Sequence, residues 1–258
     1  MKRLQPFLTL LLVVIFAALL ITGCGGGAST SSQSSAQGNN GTSVATNSEA
    51  AADLNSPAQS VLSQVYSSVV NITVTTAVGT GVGSGVVYTS DGLILTNDHV
   101  VTLDGQVNAG QSIVVAFTDG RKVSATIVGE DSVRDVAAIK VKLTGLHPVT
   151  FGSSANVKLA EWAIVIGSPL NFQNSVTLGI VSGINRTLDL GGGQSLTGLL
   201  QVDAAISPGN SGGGCFDAEG NFIGMPELQA SAQSGAENLG FAIPSDVVKQ
   251  VAHTLTGK

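Results

Sequence analysis

The chain has 258 residues, of which 43% are hydrophobic and 11% charged, with a formal net charge of −6 and a pI of about 4.9. It is long enough to bury a sizeable core. No basic patch or aromatic-interleaved basic stripe appears, which argues against nucleic acid as a partner, and two cysteines are too few for a disulfide framework.

The chain opens on Met1-Lys2-Arg3 and an apolar run from Phe7 to Ile21. A basic start before an apolar stretch of this length is an export signal, and the run falls short of the about 20 apolar residues a membrane span needs. Residues 1–23 are therefore expected to be a signal peptide. Ile21-Thr22-Gly23-Cys24 resembles the lipobox of bacterial lipoproteins. That resemblance implies cleavage before Cys24, lipid on its thiol and new amino group, and attachment to a bacterial membrane; the alternative is an uncleaved N-terminal anchor with Cys24 incidental. Either way the folded part is expected outside the cytoplasm. With Cys24 lipidated, Cys215 has no partner, so the domain must rely on its core. From Gly25 to about Ala52 the chain is Gly, Ser, Ala, Thr, Asn and Gln with almost no charge, a composition that cannot offset its ordering entropy. Residues 24–53 are expected to be a flexible tether, and 54–258 the folded domain.

The domain begins with a short helical pattern, Val61, Leu62, Val65 and Tyr66. Strand-like runs then recur at short spacing: 69–75, 85–88, 93–96, 113–117, 122–128, 136–141, 162–166, 176–184, 199–202, 222–225 and 240–243. Asp91-Gly92, Asp119-Gly120 and Glu219-Gly220 mark turns between them. Many short strands with glycine-rich turns predict an all-β sandwich or barrel. A last helix is expected after Pro244, with Ser245 as its N-cap and Val247, Val248 and Val251 facing inward.

Three segments carry chemistry. Thr96-Asn97-Asp98-His99-Val100 offers a histidine, Arg134-Asp135-Val136 an aspartate before an apolar run, and Ser207-Pro208-Gly209-Asn210-Ser211-Gly212-Gly213 a serine held between glycines. A serine nucleophile needs exposure, a base, and a group that orients the base. The order His, Asp, Ser is that of chymotrypsin-like double barrels. Asp98 and Asp131 compete with Asp135 as the orienting acid; His147 and His253 are the other histidines.

Together with Gly83-Ser84-Gly85-Val86-Val87, Thr177-Leu178-Gly179-Ile180-Val181-Ser182 and Gly240-Phe241-Ala242-Ile243-Pro244, these segments resemble the protease domain of the HtrA (Deg) family of trypsin-like serine proteases, from about Ser60 onward. The resemblance implies a double six-stranded β-barrel with a short N-terminal and a C-terminal helix. It implies His99 as general base, Asp135 as its orienting carboxylate, Ser211 as nucleophile, and the N–H groups of Gly209 and Ser211 as oxyanion hole. Ala205, six residues before the nucleophile, would lie at the base of the P1 pocket, with Ile206 narrowing it. The absence of a carboxylate there implies small or medium aliphatic P1 residues. Neither a cofactor nor a metal is implied. The partners implied are polypeptide substrates, with a homotrimer suiting the family but lacking sequence support of its own.

The chain also departs from the pattern. Gly214-Cys215 stand where the family carries Pro-Leu, Pro226 stands on the strand that pairs with substrate, Asn210 replaces the aspartate of zymogen-type relatives, and no PDZ domain follows the last helix. Two other readings remain. Gly209-Asn210-Ser211-Gly212-Gly213 fits the G-x-S-x-G nucleophile elbow, with Asp246 and His253 downstream in α/β-hydrolase order. Alternatively, the chain is a latent protease-fold lipoprotein that binds peptides or partner proteins without turnover.

Overall fold

The computed structural model describes residues 56–258 apart from 78, 104–110, 168–174, 192–193 and 230–238. The signal segment, the tether and Cys24 lie outside the described residues, all of which belong to one compact unit, Glu49–Lys258. Helix α1 (Pro57–Val65) comes first. Its start is set locally: the Ser56 hydroxyl accepts from the Ala58 N–H at 3.3 Å, and Pro57 occupies the first turn, where a missing N–H costs nothing.

Six strands follow: β1 (Val69–Thr75), β2 (Thr80–Val87), β3 (Leu93–Thr96), β4 (Ser112–Ala116), β5 (Lys122–Asp131) and β6 (Val136–Val141). They close a barrel in the order β1-β2-β3-β6-β5-β4, all antiparallel. The five-residue helix α2 (Asp98–Thr102) follows β3 directly.

Seven further strands build a second sheet in the order β11-β8-β9-β10-β13-β12-β7. They are β7 (Thr150–Phe151), β8 (Trp162–Gly167), β9 (Ser175–Gly191), β10 (Gln194–Val202), β11 (Gly214–Phe216), β12 (Asn221–Gln229) and β13 (Gly240–Pro244). A β11–β12 pairing, Cys215 opposite Gly224, joins the ends of a six-strand ring, with β7 added in parallel to β12. The fold is the expected chymotrypsin-like pair of barrels. Helix α3 (Ser245–Thr256) closes the described chain.

Continuous apolar runs such as Val136-Ala137-Ala138-Ile139 arise because these strands are buried on both faces. Side chains alternate across a strand. Val87, Ile94, Ala137 and Ile139 therefore fill the first barrel, while Val86, Leu95, Val136 and Ala138 turn outward to a second cluster. In β8, Ile164 and Ile166 join that same outer cluster, whereas Ala163 and Val165 face the second barrel's interior. The shared cluster also takes in Val61 and Val65 of α1 and Val248, Val251 and Ala252 of α3. The helices thus seal the seam between the barrels.

Two sequence expectations about the last helix need correction. Ser245 is the first helical residue rather than the cap; Pro244 holds the cap position, and the buried Ser245 hydroxyl donates to the Gly152 carbonyl at 2.8 Å. Val248 and Val251 are buried as expected, but Val247 is only half-buried. Strands β7 and β11 are too short to show a period. Pro226, for its part, does not break β12: it pairs with Ala242, and the register slips only after it, before Gln229.

Candidate active site

His99 sits on α2, whose short path out of β3 aims the imidazole along the barrel seam; its side chain is 30% exposed. Asp135 ends the turn between β5 and β6 with φ of 54°, a left-handed conformation that aspartate adopts more readily than most residues. That conformation turns both carboxylate oxygens toward α2. Asp135 Oδ2 lies 2.8 Å from His99 Nδ1, and Oδ1 accepts the His99 backbone N–H at 2.9 Å. Asn97 Nδ2 in turn donates to the Asp135 carbonyl at 2.8 Å. The competing acids are used elsewhere. Asp131 accepts from Arg134 Nη1 at 2.9 Å and from the N–H groups of Val133 and Arg134. Asp98 is buried on α2, its carboxyl pushed up to about 6 first by burial and then by the negative charges of Glu130 and Asp135.

Ser211 lies on the loop between β10 and β11, held to the first barrel by two bonds. The Ser84 backbone N–H donates to the Ser211 carbonyl at 2.9 Å, and the buried Ser84 hydroxyl donates to the Gly209 carbonyl at 2.6 Å. Thr96 Oγ1 donates to the Ser84 carbonyl at 2.6 Å, so β2 and β3 are fixed at the same point. Glycine is needed at 209 and 212, where φ is 103° and 81°. At 212 a Cβ would stand 2.3 Å from Thr96 Oγ1 and 2.4 Å from the Ser84 carbonyl oxygen. The Gly212 N–H donates to the Pro226 carbonyl at 3.0 Å.

The Ser211 hydroxyl donates to the Glu227 carbonyl at 2.8 Å. A hydroxyl has one proton to give, so in this arrangement it is directed to β12. Glu227 was not singled out from sequence. Its side chain is 6% exposed, and Oε1 lies 3.7 Å from His99 Nδ1. The signal that could have found it is a single carboxylate inside a strand bounded by apolar residues. Ser84 and Asn97 also hold the site together, through the Gly209 and Asp135 carbonyls, and only the fold reveals these partners. Donor atoms of His99, Asp135 and Glu227 lie within 4.8 Å of one another. His99 Nδ1 is already engaged by Asp135 Oδ2 at 2.8 Å.

Of the two positions expected to set specificity, Ala205 is exposed and its carbonyl accepts from Thr177 Oγ1 at 2.8 Å. Ile206 is buried in the second barrel, its Cδ1 filling the space a side chain at Gly240 would need. The residues of the hydrolase-elbow reading are engaged elsewhere: Asp246 accepts from Ser153, Ser154 and the Ala155 N–H, and His253 contacts the Lys258 carbonyl. No strand–elbow–helix surrounds Ser211, which is followed by β11.

Residues 83–225 match the trypsin-like peptidase domain family, spanning the segments that carry His99, Asp135 and Ser211. The chain belongs to that family. Among curated relatives, this peptidase domain is 41% identical over 169 residues to a probable periplasmic serine endoprotease DegP-like of Halomonas elongata, covering 66% of this chain and 34% of that protein. It is 37% identical over 190 residues to serine protease PepD of Mycobacterium tuberculosis, covering 67% and 41%. Among solved structures, the HtrA-type protease AlgW with a tripeptide superposes with a TM-score of 0.68 at 35% identity, over 78% of this chain and 64% of that one. The peptidase domain thus spans well under half the length of the curated relatives it matches.

Proposed function

We propose that the domain is a serine endopeptidase acting on unfolded or exposed polypeptide. The observation that carries this reading is the double bond between Asp135 and His99, side chain to Nδ1 at 2.8 Å and side chain to backbone N–H at 2.9 Å. It presents the imidazole with its Nδ1 proton held and Nε2 left as the basic nitrogen. In the reaction, Ser211 Oγ attacks the scissile carbonyl while His99 takes its proton; the imidazolium then protonates the leaving amine, and water resolves the acyl-enzyme. Gly209 and Ser211 donate their N–H groups to the oxyanion, each such donor being worth about 3–4 kcal/mol in the transition state. The exposed Ala205 favours a small or medium aliphatic P1 residue, because it offers no charge to a basic one, while Ile206 is packed in the barrel behind it. The chemistry needs no cofactor. The names of the relatives and the N-terminal signature support an extracytoplasmic enzyme, tethered through lipid on Cys24.

Fluorophosphonate labelling of the purified chain tests the reading, with Ser211→Ala and His99→Ala as controls. Labelling abolished in both variants, together with hydrolysis of unfolded casein, is the expected result. A well-folded wild type that neither labels nor cleaves casein refutes it. The second reading, a latent peptide-binding domain, is favoured by one observation, the Ser211 hydroxyl directed to the Glu227 carbonyl. It predicts peptide binding without turnover that survives Ser211→Ala.

A further inference from the structure

We infer that Glu227 is a second carboxylate serving His99, a positioning residue that steadies the imidazolium formed when Ser211 gives up its proton. The inference rests on the endopeptidase reading and extends it to a residue outside the triad. The Nδ1 proton goes to Asp135 Oδ2 at 2.8 Å, and Glu227 Oε1 stands 3.7 Å from the same nitrogen. At that separation the contact is one of charge rather than a hydrogen bond. Both carboxylates are buried: Asp135 is 8% and Glu227 5% exposed.

The direction of the effect follows from charge. Before proton transfer the neutral ring offers the buried Glu227 carboxyl no compensating charge, and a charged ring favours its ionised form. After transfer, the ring whose Nδ1 both carboxylates face is positive. The attraction is therefore stronger in the transition state than in the ground state, the condition for an interaction to accelerate a reaction. The same residue reaches the nucleophile through its backbone, since the Glu227 carbonyl accepts the Ser211 hydroxyl at 2.8 Å. One residue of β12 thus touches both base and nucleophile.

The ionisable groups facing His99 come from three elements: Asp135 from the β5–β6 turn, Glu227 from β12, and Asp98 from α2 itself. Glu130 and Asp131 act on Asp98, and Arg134 is engaged by Asp131. Because the Asp98 carboxyl titrates near 6, the test is made in the Asp98→Asn background.

The experiment compares Glu227→Gln with the parent chain by two readouts. The first is the ¹⁵N-imidazole NMR titration of His99, resolvable because the chain has three histidines and identified by its loss in His99→Ala. The second is the pH profile of kcat/KM on a peptide substrate. Removing the anion is expected to move the His99 titration and the acid limb together to lower pH. The plateau of kcat/KM is expected to fall about tenfold, the low end of what an opposite charge this close does to an ionisable group. Glu227→Asp, which keeps the charge, should retain the parent's acid limb, and Glu227→Ser gives the same neutral readout should glutamine disturb the packing. An unchanged His99 titration in the neutral variants overturns the role of Glu227, whatever the activity. A shifted titration in a chain that cleaves nothing leaves the charge coupling standing and removes the endopeptidase reading instead.

Discussion

The hydroxyl of Ser84 is the smallest group on which the geometry of the loop carrying Ser211 depends, and Ser84→Ala isolates it. In the native chain this fully buried side chain donates to the Gly209 carbonyl at 2.6 Å, across the seam between barrels. The alanine variant keeps the backbone bond from Ser84 N–H to the Ser211 carbonyl. It strands the Gly209 carbonyl, and an unsatisfied buried acceptor costs about 1–3 kcal/mol. For a domain of this size that lowers Tm by about 4–8 °C, taking the middle of that range. The carbonyl belongs to the residue proposed to donate to the oxyanion. Its release loosens that donor, and kcat/KM is expected to fall by up to about a hundredfold, the lower bound for losing an oxyanion donor outright. Calorimetry gives the first quantity and peptide hydrolysis the second. An unchanged Tm together with unchanged kcat/KM would refute the view that this bond holds the loop.

Two further substitutions probe neighbouring features. Gly212→Ala places a Cβ 2.3 Å from Thr96 Oγ1 in a left-handed conformation that alone costs about 1–2 kcal/mol; the loop must shift, and fluorophosphonate labelling is expected to be lost before the fold is. Asp98→Asn tests the buried carboxyl on α2. Its folded value of about 6 lies above the ordinary 3.8, so the ionised form burdens the native state at pH 7 and the burden disappears as pH falls through that interval. The asparagine variant is therefore expected to be more stable by about 1–3 kcal/mol at pH 7 and no more stable near pH 4, measured by denaturant unfolding at both values. A stability gain that is the same at the two pH values contradicts that assignment.

Much of the fold was legible because local pattern and global burial agree. β1, β3 and β6 coincide with the strand-like runs at 69–75, 93–96 and 136–141, and the glycines of the marked turns adopt positive φ at 92, 120 and 220. β11 was not legible, since three residues carry no period and its place is decided by pairing with β8 and β12. The cap expected at Ser245 falls one residue earlier because Pro244 keeps the extended conformation of the strand before it and Ser245 is already helical, its hydroxyl donating outward to the Gly152 carbonyl. His99 and Asp135 could be brought together by motif, and the structure pairs them. Glu227 lies 16 residues beyond Ser211, and only the folding of β12 under the loop reveals what its side chain and carbonyl touch.

The division of the site between barrels has a genetic consequence. His99, Asp135 and Ser84 belong to the first barrel, whereas Ser211 and Glu227 belong to the second. Chains carrying His99→Ala and chains carrying Ser211→Ala are each damaged in a different half. Mixed together, they regain a complete site only where the intact first barrel of one chain docks on the intact second barrel of the other. Complementation between two dead alleles would then be a direct reporter of barrel exchange between molecules.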